Sequence, residues 1–262
     1  MAELPDQVAA LAVQRSQLSG WRDISSLLVD FAITTWDVAP DALGRHLPAG
    51  IEPDVFTLDD GRPRAFVSSV TFLNTNFFVR FAPFIRLSAH QTNYRAYVRC
   101  GGLRCVWFFG TSLSSVGAVV PRVLWGLPWA RSRVTHQTDW QGPTLQRYEW
   151  DGRSAHGTEH LQLRGTGEPL ARLDGFKDAA TTQAVLTHPL VGFLRRRGST
   201  VVTYSVGHAP LEMQLARPEE ARFTLWEDRG LVARGQAPHS ALIQRQTQYD
   251  VHLPPAVAGL GG

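Results

Sequence analysis

The sequence predicts a mainly β protein, a β-rich α+β chain whose strands form a barrel or a sandwich. Many short segments combine β-branched and aromatic residues with alternating polar positions, as strands do, and few segments have a helical period. Turn residues separate these segments, and strands do not alternate with helices as they would in a parallel α/β sheet. No linker-like stretch divides the 262 residues, so residues 21–255 are predicted to form one domain, with a helical N-terminal extension at 1–20 and a frayed tail at 256–262.

The first half of the chain is predicted to hold a central β-hairpin. Its strands cover residues 91–99 and 105–110, and Gly101 and Gly102 form the turn between them. Residues 77–87 are apolar but contain Pro83, which favours a loop or an irregular edge strand. The other predicted elements are a short helix within 1–17, a strand at 24–35, a short helix between Pro40 and Pro48, a strand at 64–73, and a helix at 113–126 that Pro121 kinks.

The second half is predicted to consist mostly of strands. They cover residues 140–150, 154–164, 199–206, 221–226, 231–235 and 244–251. Turns are expected between them at 151–152, 165–167 and 228–230, where glycines cluster with polar residues. One helix is predicted from Thr181 or Thr182 to about Arg196, with a break at Pro189.

Composition and charge favour a soluble protein that binds neither a membrane nor nucleic acid. Hydrophobic residues make up 44% of the chain and charged residues 19%, and no run of about eighteen apolar residues could span a bilayer. The N-terminus lacks a basic start followed by an apolar core, so a cytoplasmic location is predicted. The 26 basic and 23 acidic residues give a net charge of +3, and the densest basic cluster, at 195–197, is more typical of a solvated helix end than of a nucleic-acid site.

Motifs for metal, nucleotide and serine-hydrolase chemistry are absent from the sequence. His156 and His160 occur in HGTEH, but the surrounding residues favour a strand, which would place the two imidazoles roughly 13 Å apart. No G-x-S-x-G, Walker or G-x-G-x-x-G motif is present, so neither a metal nor another cofactor is predicted. Cys100 and Cys105 flank the hairpin turn; a disulfide is geometrically conceivable, but two reduced, packed thiols are preferred in a cytoplasmic protein.

The predicted hairpin carries the best candidate for a binding site. Gln91, Asn93 and Arg95 alternate along the first strand and therefore share one face. The second strand, CVWFFG at 105–110, is expected to be buried on both faces. The polar row then either faces water or lines an internal cavity, and amide and guanidinium groups beside Trp107 and Phe109 would suit an oxyanion or a carboxylate.

The chain also contains, in order, a segment at 38–72 that begins VAPDALGRHLP, then TNYRAYV (92–98), WFFGTSL (107–113), GLPWARSR (126–133) and YSVGHAPLEMQ (204–214). Together these stretches resemble the uncharacterised YqjF-like proteins of the acetoacetate-decarboxylase-like superfamily. The resemblance covers about residues 21–252. It implies an acetoacetate-decarboxylase-like β-barrel or double sandwich that encloses a cavity, with a few helices packed outside.

The resemblance further implies a relation to enzymes that form a Schiff base through a lysine in a G-x-P-K context. Here that context reads Gly126-Leu127-Pro128-Trp129, so Trp129 stands where the lysine would be. Lys177 is the only lysine of the chain, and it lies in a polar loop beside Asp174 and Asp178, outside that context. We therefore expect no Schiff-base decarboxylation.

Departures from the family pattern also bear on function. Gln91 stands where the relatives carry glutamate, which weakens an acid/base role at that end of the strand. The predicted function is to bind a small anionic or carbonyl-bearing molecule in the cavity, with lysine-independent acid/base chemistry left open; the alternative is a non-catalytic carrier, sensor or structural barrel. A small-molecule ligand is the predicted partner, and homo-oligomer formation is left open. The candidate ligand-binding residues are Gln91, Asn93, Arg95, Trp107, Phe109, Trp129 and His208.

Overall fold

The structure, a computed structural model, describes residues 20–115, 126–189, 191–196, 200–252 and 256–257. Strands dominate these residues, which confirms the mainly β prediction. The strands are β1 (Ile24–Val38), β2 (Glu52–Pro53), β3 (Phe56–Thr57), β4 (Pro63–Val79), β5 (Leu87–Cys100), β6 (Leu103–Leu113), β7 (Trp129–Arg131), β8 (Arg133–Gln141), β9 (Thr144–Ser154), β10 (Gly157–Pro169), β11 (Val191–Arg195), β12 (Val201–Gly207), β13 (Gln214–Phe223), β14 (Ser240–Val251) and β15 (Ala256–Val257). The helices are α1 (Pro40–Gly44), α2 (Ala179–Thr187) and α3 (Thr224–Asp228). None of them is long and apolar enough to cross a membrane.

Hydrogen bonding closes part of the sheet into a ring. The strands follow the order β12-β11-β6-β5-β4-β1-β14, and β14 pairs in turn with β12. A second group, β13-β10-β9-β8, continues from β14 and forms a wing. The pairs β11–β6 and β6–β7 are parallel, whereas the other pairs are antiparallel. The pairing of Val206 and Gly207 of β12 with β14 closes the ring and covers part of the edges that an open sheet would expose.

Two hydrophobic cores lie on opposite faces of the ring strands. One core, which includes Phe31, Phe72 and Tyr97, occupies the interior of the ring. The other brings ring residues such as Trp107 against wing residues such as Trp150. A strand that is covered on both faces typically has an unbroken run of apolar and small residues. Residues 65–72 of β4 form such a run, and all of them are buried.

Bulges in β1 and β6 decide which side chains face the ring interior. The register between β1 and β4 shifts between Val29 and Ala32, where Asp30 has a φ of 52°. The register between β5 and β6 shifts so that Phe109 is the extra residue. A bulge reverses the alternation of side chains beyond it. Phe108 before the bulge and Thr111 after it therefore both line the interior.

The hairpin and the early strands are where the sequence places them, but several later elements differ. Residues 191–195, predicted as the end of a helix, form β11, because Pro189 follows the end of α2 and an apolar segment then pairs with β6. Residues 221–226 are divided between the end of β13 and α3, and residues 231–235 form bends and a turn instead of a strand. The predicted helices at 1–17 and 113–126 lie wholly or mostly outside the described residues.

Glycines in the wing account for a second group of differences. Residues 140–150, predicted as one strand, contain the hairpin turn between β8 and β9, where Gly142 has a φ of 60°. The turns predicted at 151–152 and 165–167 lie within strands. Gly152 pairs with Glu159 within the sheet, and glycine is needed there because a Cβ would lie 2.5 Å from Oε2 of Glu159. Residues 256–257, from the C-terminal tail, pair with β12.

Candidate functional site

A cavity of about 160 Å³ lies inside the ring of strands. Most of its wall is hydrocarbon, contributed by residues such as Leu28, Phe31, Val70, Phe72, Phe108 and Leu194. One water needs roughly 10–15 Å³ of such space, so the cavity could hold on the order of ten waters or a compact organic molecule.

One wall of the cavity carries a chain of hydrogen-bonded polar side chains. Oγ of Ser26 donates to Oδ1 of Asn74 (2.8 Å), and Nδ2 of Asn74 donates to Oε1 of Gln91 (2.7 Å). Nε2 of Gln91 then donates to Oδ1 of Asn93 (2.9 Å), which also accepts from Oγ1 of Thr111 (3.0 Å). We call these five residues the amide relay. They come from β1, β4, β5 and β6, so the relay depends on the register of four neighbouring strands.

Arg95 lies next along β5 and brings a positive charge to the cavity. Its side chain lines the cavity, and the residue is only 8% exposed. Nη2 donates to the carbonyl oxygen of Leu186 (2.9 Å) and to the hydroxyl of Tyr97 (3.2 Å). Nε is buried without a hydrogen-bond partner, and none of the ion pairs among the described residues includes Arg95. A buried guanidinium is thus held at one nitrogen and has no counter-charge from those residues.

The structure brings four of the seven candidate residues to the cavity. Gln91, Asn93, Arg95 and Trp129 line it. The expectation that Trp107 and Phe109 flank the polar row is wrong, because both point away from the ring interior into the core shared with the wing. Sequence alone could not decide this, since CVWFFG is apolar on both of its faces.

His208 lies behind the cavity wall. Its ring stacks on Tyr249, with 4.3 Å between ring centroids, and Tyr249 lines the cavity whereas His208 does not. Burial raises the pKa of Tyr249, so its phenol stays neutral near physiological pH. Sequence reasoning missed Tyr249, Ser26, Asn74 and Thr111 because isolated polar residues in apolar strands carry no motif.

On the opposite face of β5 and β6, the carboxylate of Glu159 joins the ring to the wing. Oε1 accepts from the hydroxyls of Tyr94 (2.6 Å) and Ser112 (2.9 Å), and Oε2 accepts from Oγ1 of Thr92 (2.6 Å) and Nε1 of Trp150 (2.7 Å). Burial, and then the nearby carboxylate, raises the pKa of Tyr94 well above its usual value, so the phenol remains a donor. These bonds fix the strand segments that carry Asn93 and Thr111 on their other face.

The histidines of HGTEH do not meet. Nε2 of His156 lies 3.1 Å from the carbonyl oxygen of Pro128, whereas His160 lies at the surface between Asp151 and Glu220. No cluster of three or more metal-ligating side chains is present in the described part of the chain. Both cysteines are free and buried, and burial raises the pKa of Cys100 to about 11 and that of Cys105 to about 12. Lys177 is exposed and is not part of the cavity lining.

Comparisons with known proteins agree with the resemblance seen in the sequence. The model of the family DUF2071, described as "Uncharacterized conserved protein (COG2071)", matches residues 27–248. No curated protein matches the chain.

Three solved structures with a similar fold are distant from this chain in sequence. The enduracididine biosynthesis enzyme MppR complexed with pyruvate has 13% identity and a TM-score of 0.55, covering 93% of this chain and 92% of its own. Acetoacetate decarboxylase from Legionella pneumophila has 12% identity and a TM-score of 0.54, with coverages of 91% and 87%. An acetoacetate-decarboxylase-like enzyme from Sphingomonas wittichii RW1 has 11% identity and a TM-score of 0.58, with coverages of 89% and 92%. At these identities the likeness shows the fold, which is acetoacetate-decarboxylase-like.

Proposed function

The chain belongs to the DUF2071 family and has an acetoacetate-decarboxylase-like fold, and from this premise we propose that it binds a small anionic or carbonyl-bearing organic molecule inside the ring of strands. Arg95 carries the proposal. A buried cation without a counter-charge is costly, and an anionic ligand would offset that cost. Asn93, whose Nδ2 donates no hydrogen bond to the described residues, lies beside Arg95 on the same face of β5.

The size and lining of the cavity support a compact ligand. A volume of about 160 Å³ with a mostly hydrocarbon wall and a few convergent donors suits a molecule of a few carbon atoms with one polar end. The complex of MppR with pyruvate gives a precedent in this fold for a small ligand that has both a carboxylate and a carbonyl group. That precedent makes pyruvate a sensible first probe.

Binding without Schiff-base chemistry is the form of this function that we favour. Trp129 lines the cavity at the position that follows Gly126-Leu127-Pro128, and the only lysine, Lys177, lies at the surface. Among the described residues, the lining contains no carboxylate, histidine, lysine or cysteine. Proton transfer near neutral pH is best served by such groups, so the described lining favours a carrier or sensor over an acid/base catalyst.

Calorimetric titration with pyruvate, acetoacetate and butyrate tests the proposal. Arg95→Met should weaken binding by at least about tenfold, since a charge-assisted hydrogen bond is worth roughly 1.5–3 kcal/mol. Arg153→Met is the matched control, because Arg153 is an exposed wing residue outside the cavity lining, and it should bind as the wild type does.

Thermal unfolding of the same variants separates a binding role from a structural one. Arg95→Met removes an unpaired buried charge, so its melting temperature without ligand should be equal to or above that of the wild type. A lower melting temperature combined with unchanged ligand affinity would show that Arg95 is structural. Borohydride treatment in the presence of pyruvate or acetoacetate should give no covalent adduct by mass spectrometry, whereas an adduct on Lys177 would contradict binding without a Schiff base.

A further inference from the structure

The hydrogen bonds of the amide relay leave Asn93 with donors only. An amide oxygen accepts two hydrogen bonds, and Oδ1 of Asn93 already accepts from Gln91 and Thr111. Its Nδ2 carries two hydrogens that donate to none of the described residues. Because Asn93 is part of the cavity lining, the group that it offers a ligand is a donor.

A single amide of the relay cannot turn over without the loss of hydrogen bonds. If the amide of Gln91 turned over, Nε2 would face Nδ2 of Asn74 and Oε1 would face Oδ1 of Asn93, so both hydrogen bonds would be lost. Oδ1 of Asn74 accepts from the hydroxyl of Ser26, which leaves Nδ2 of Asn74 to donate to Gln91. Three of the four bonds run in one direction from β1 toward Asn93, and the fourth reaches Asn93 from Thr111 on β6.

Arg95 adds donors of a second kind. A guanidinium has no acceptor atom, and neither Nε nor Nη1 of Arg95 donates to the described residues. Asn93 and Arg95 thus offer the cavity hydrogen-bond donors and one positive charge, and most of the wall around them is hydrocarbon. An ionised carboxylate fits such a wall, because it has two acceptor oxygens and no donor.

We infer that the cavity selects an ionised monocarboxylate with an apolar body, and that Gln91 is the specificity-determining residue because it holds the donors of Asn93 toward the ligand. This inference rests on the proposed function. A primary amide of the same shape would place an NH₂ group against the donors of Asn93 or Arg95. A dicarboxylate would place its second charge against hydrocarbon.

Matched pairs of ligands test the selectivity. Calorimetry on the wild-type protein would compare butyrate with butyramide and benzoate with benzamide, and would include glutarate as the dicarboxylate. Each acid should bind at least about tenfold more tightly than its amide, and more tightly than glutarate. If neither acids nor amides bind, the proposed function itself fails; if amides bind as tightly as acids, ligand binding stands and the inference is overturned.

Gln91→Glu tests the role of the relay. Glutamate can still accept from Asn74 but cannot donate to Asn93, so the NH₂ group of Asn93 should turn toward the new carboxylate and expose Oδ1 to the cavity. The ratio of acid to amide affinity should then fall by about tenfold or more. Gln137→Glu, at an exposed position of β8, adds the same charge away from the cavity and should keep the wild-type ratio.

A second variant serves if Gln91→Glu does not fold. Thr111→Val removes the other donor to Oδ1 of Asn93 without adding a charge, and it should lower the ratio by a smaller factor. An unchanged ratio in a folded Gln91→Glu protein, or in Thr111→Val where Gln91→Glu does not fold, would overturn the assignment of specificity to the relay. A fall in the affinity of acids and amides alike would also overturn it, because that result indicates a general loss of packing.

Discussion

Replacing Glu159 with alanine should remove much of the stability of the protein. The carboxylate is 2% exposed and accepts hydrogen bonds from Thr92, Tyr94, Ser112 and Trp150, which lie on three different strands of the ring and the wing. Alanine would leave all four donors buried without an acceptor and would create a cavity between the two layers. The hydrogen bonds that connect β10 to β5, β6 and β9 through this side chain would be lost together.

The expected cost follows from the number of donors. A buried donor that loses its acceptor costs about 1–3 kcal/mol, and three of these donors are hydroxyls that can rotate toward other acceptors. The lower end of that range gives a loss of about 4–6 kcal/mol in the free energy of unfolding. The total free energy of unfolding of a native domain is only about 5–15 kcal/mol, so this loss would be a large part of it.

Glutamine at the same position should cost less. Its oxygen can take the place of Oε2 and accept from Trp150, while its NH₂ group donates to the hydroxyls of Tyr94 and Ser112. We expect a loss of about 1–2 kcal/mol for Glu159→Gln.

Urea unfolding followed by circular dichroism measures these differences. Glu219→Ala is the control, because the ion pair of Glu219 with Arg164 is exposed and such pairs are worth at most about 1 kcal/mol. A loss for Glu159→Ala no larger than that for Glu219→Ala would refute the role assigned to the buried carboxylate.

Three further predictions concern titration, thiol reactivity and packing. Burial lowers the pKa of His136 to about 4 although Asp30 acts in the opposite direction, whereas the unfolded imidazole titrates near about 6.5. Between these two pKa values the unfolded state binds more protons than the folded state. The urea midpoint of unfolding should therefore fall as the pH drops from about 6.5 toward 4. In His136→Gln the midpoint should depend less on pH over the same range. Burial raises the pKa of Cys100 to about 11 and that of Cys105 to about 12, so neither thiol of the native protein should react with a thiol reagent at about pH 8. Both thiols should react once urea has unfolded the protein. A rapid reaction of the native protein would contradict the burial of the two thiols. Gly152→Ala would place a Cβ 2.5 Å from Oε2 of Glu159 and should lower the melting temperature. Gly207→Ala is the control, because a Cβ there would lie 3.5 Å from Nε2 of His252, its nearest neighbour, and the melting temperature should stay nearly unchanged. Equal melting temperatures for the two variants would show that packing does not require glycine at position 152.

Local patterns were sufficient for the central hairpin and for the row of polar residues along β5. Gln91, Asn93 and Arg95 share a face because side chains alternate along any regular strand, and the structure keeps that alternation. Trp107 and Phe109 could not be placed in the same way, since their strand is apolar on both faces and a bulge changes its alternation. The prediction that a helix continues to about Arg196 was wrong for a related reason. A short buried strand such as β11 is apolar throughout, so its sequence has no periodicity that distinguishes it from a buried helix.

The sequence by itself determined that the chain is mainly β and that its central hairpin has one polar face. It also determined that Trp129, and not the only lysine, follows Gly126-Leu127-Pro128. These conclusions depend only on the type and order of the residues. Only the tertiary structure decided that the polar face looks inward, because that depends on the pairing of β14 with β12 that closes the ring. It also decided the direction of the amide relay, in which Ser26 and Asn74 meet across 48 residues of chain. Hydrogen bonds between side chains on different strands depend on register and bulges, and those are set by packing over the whole ring.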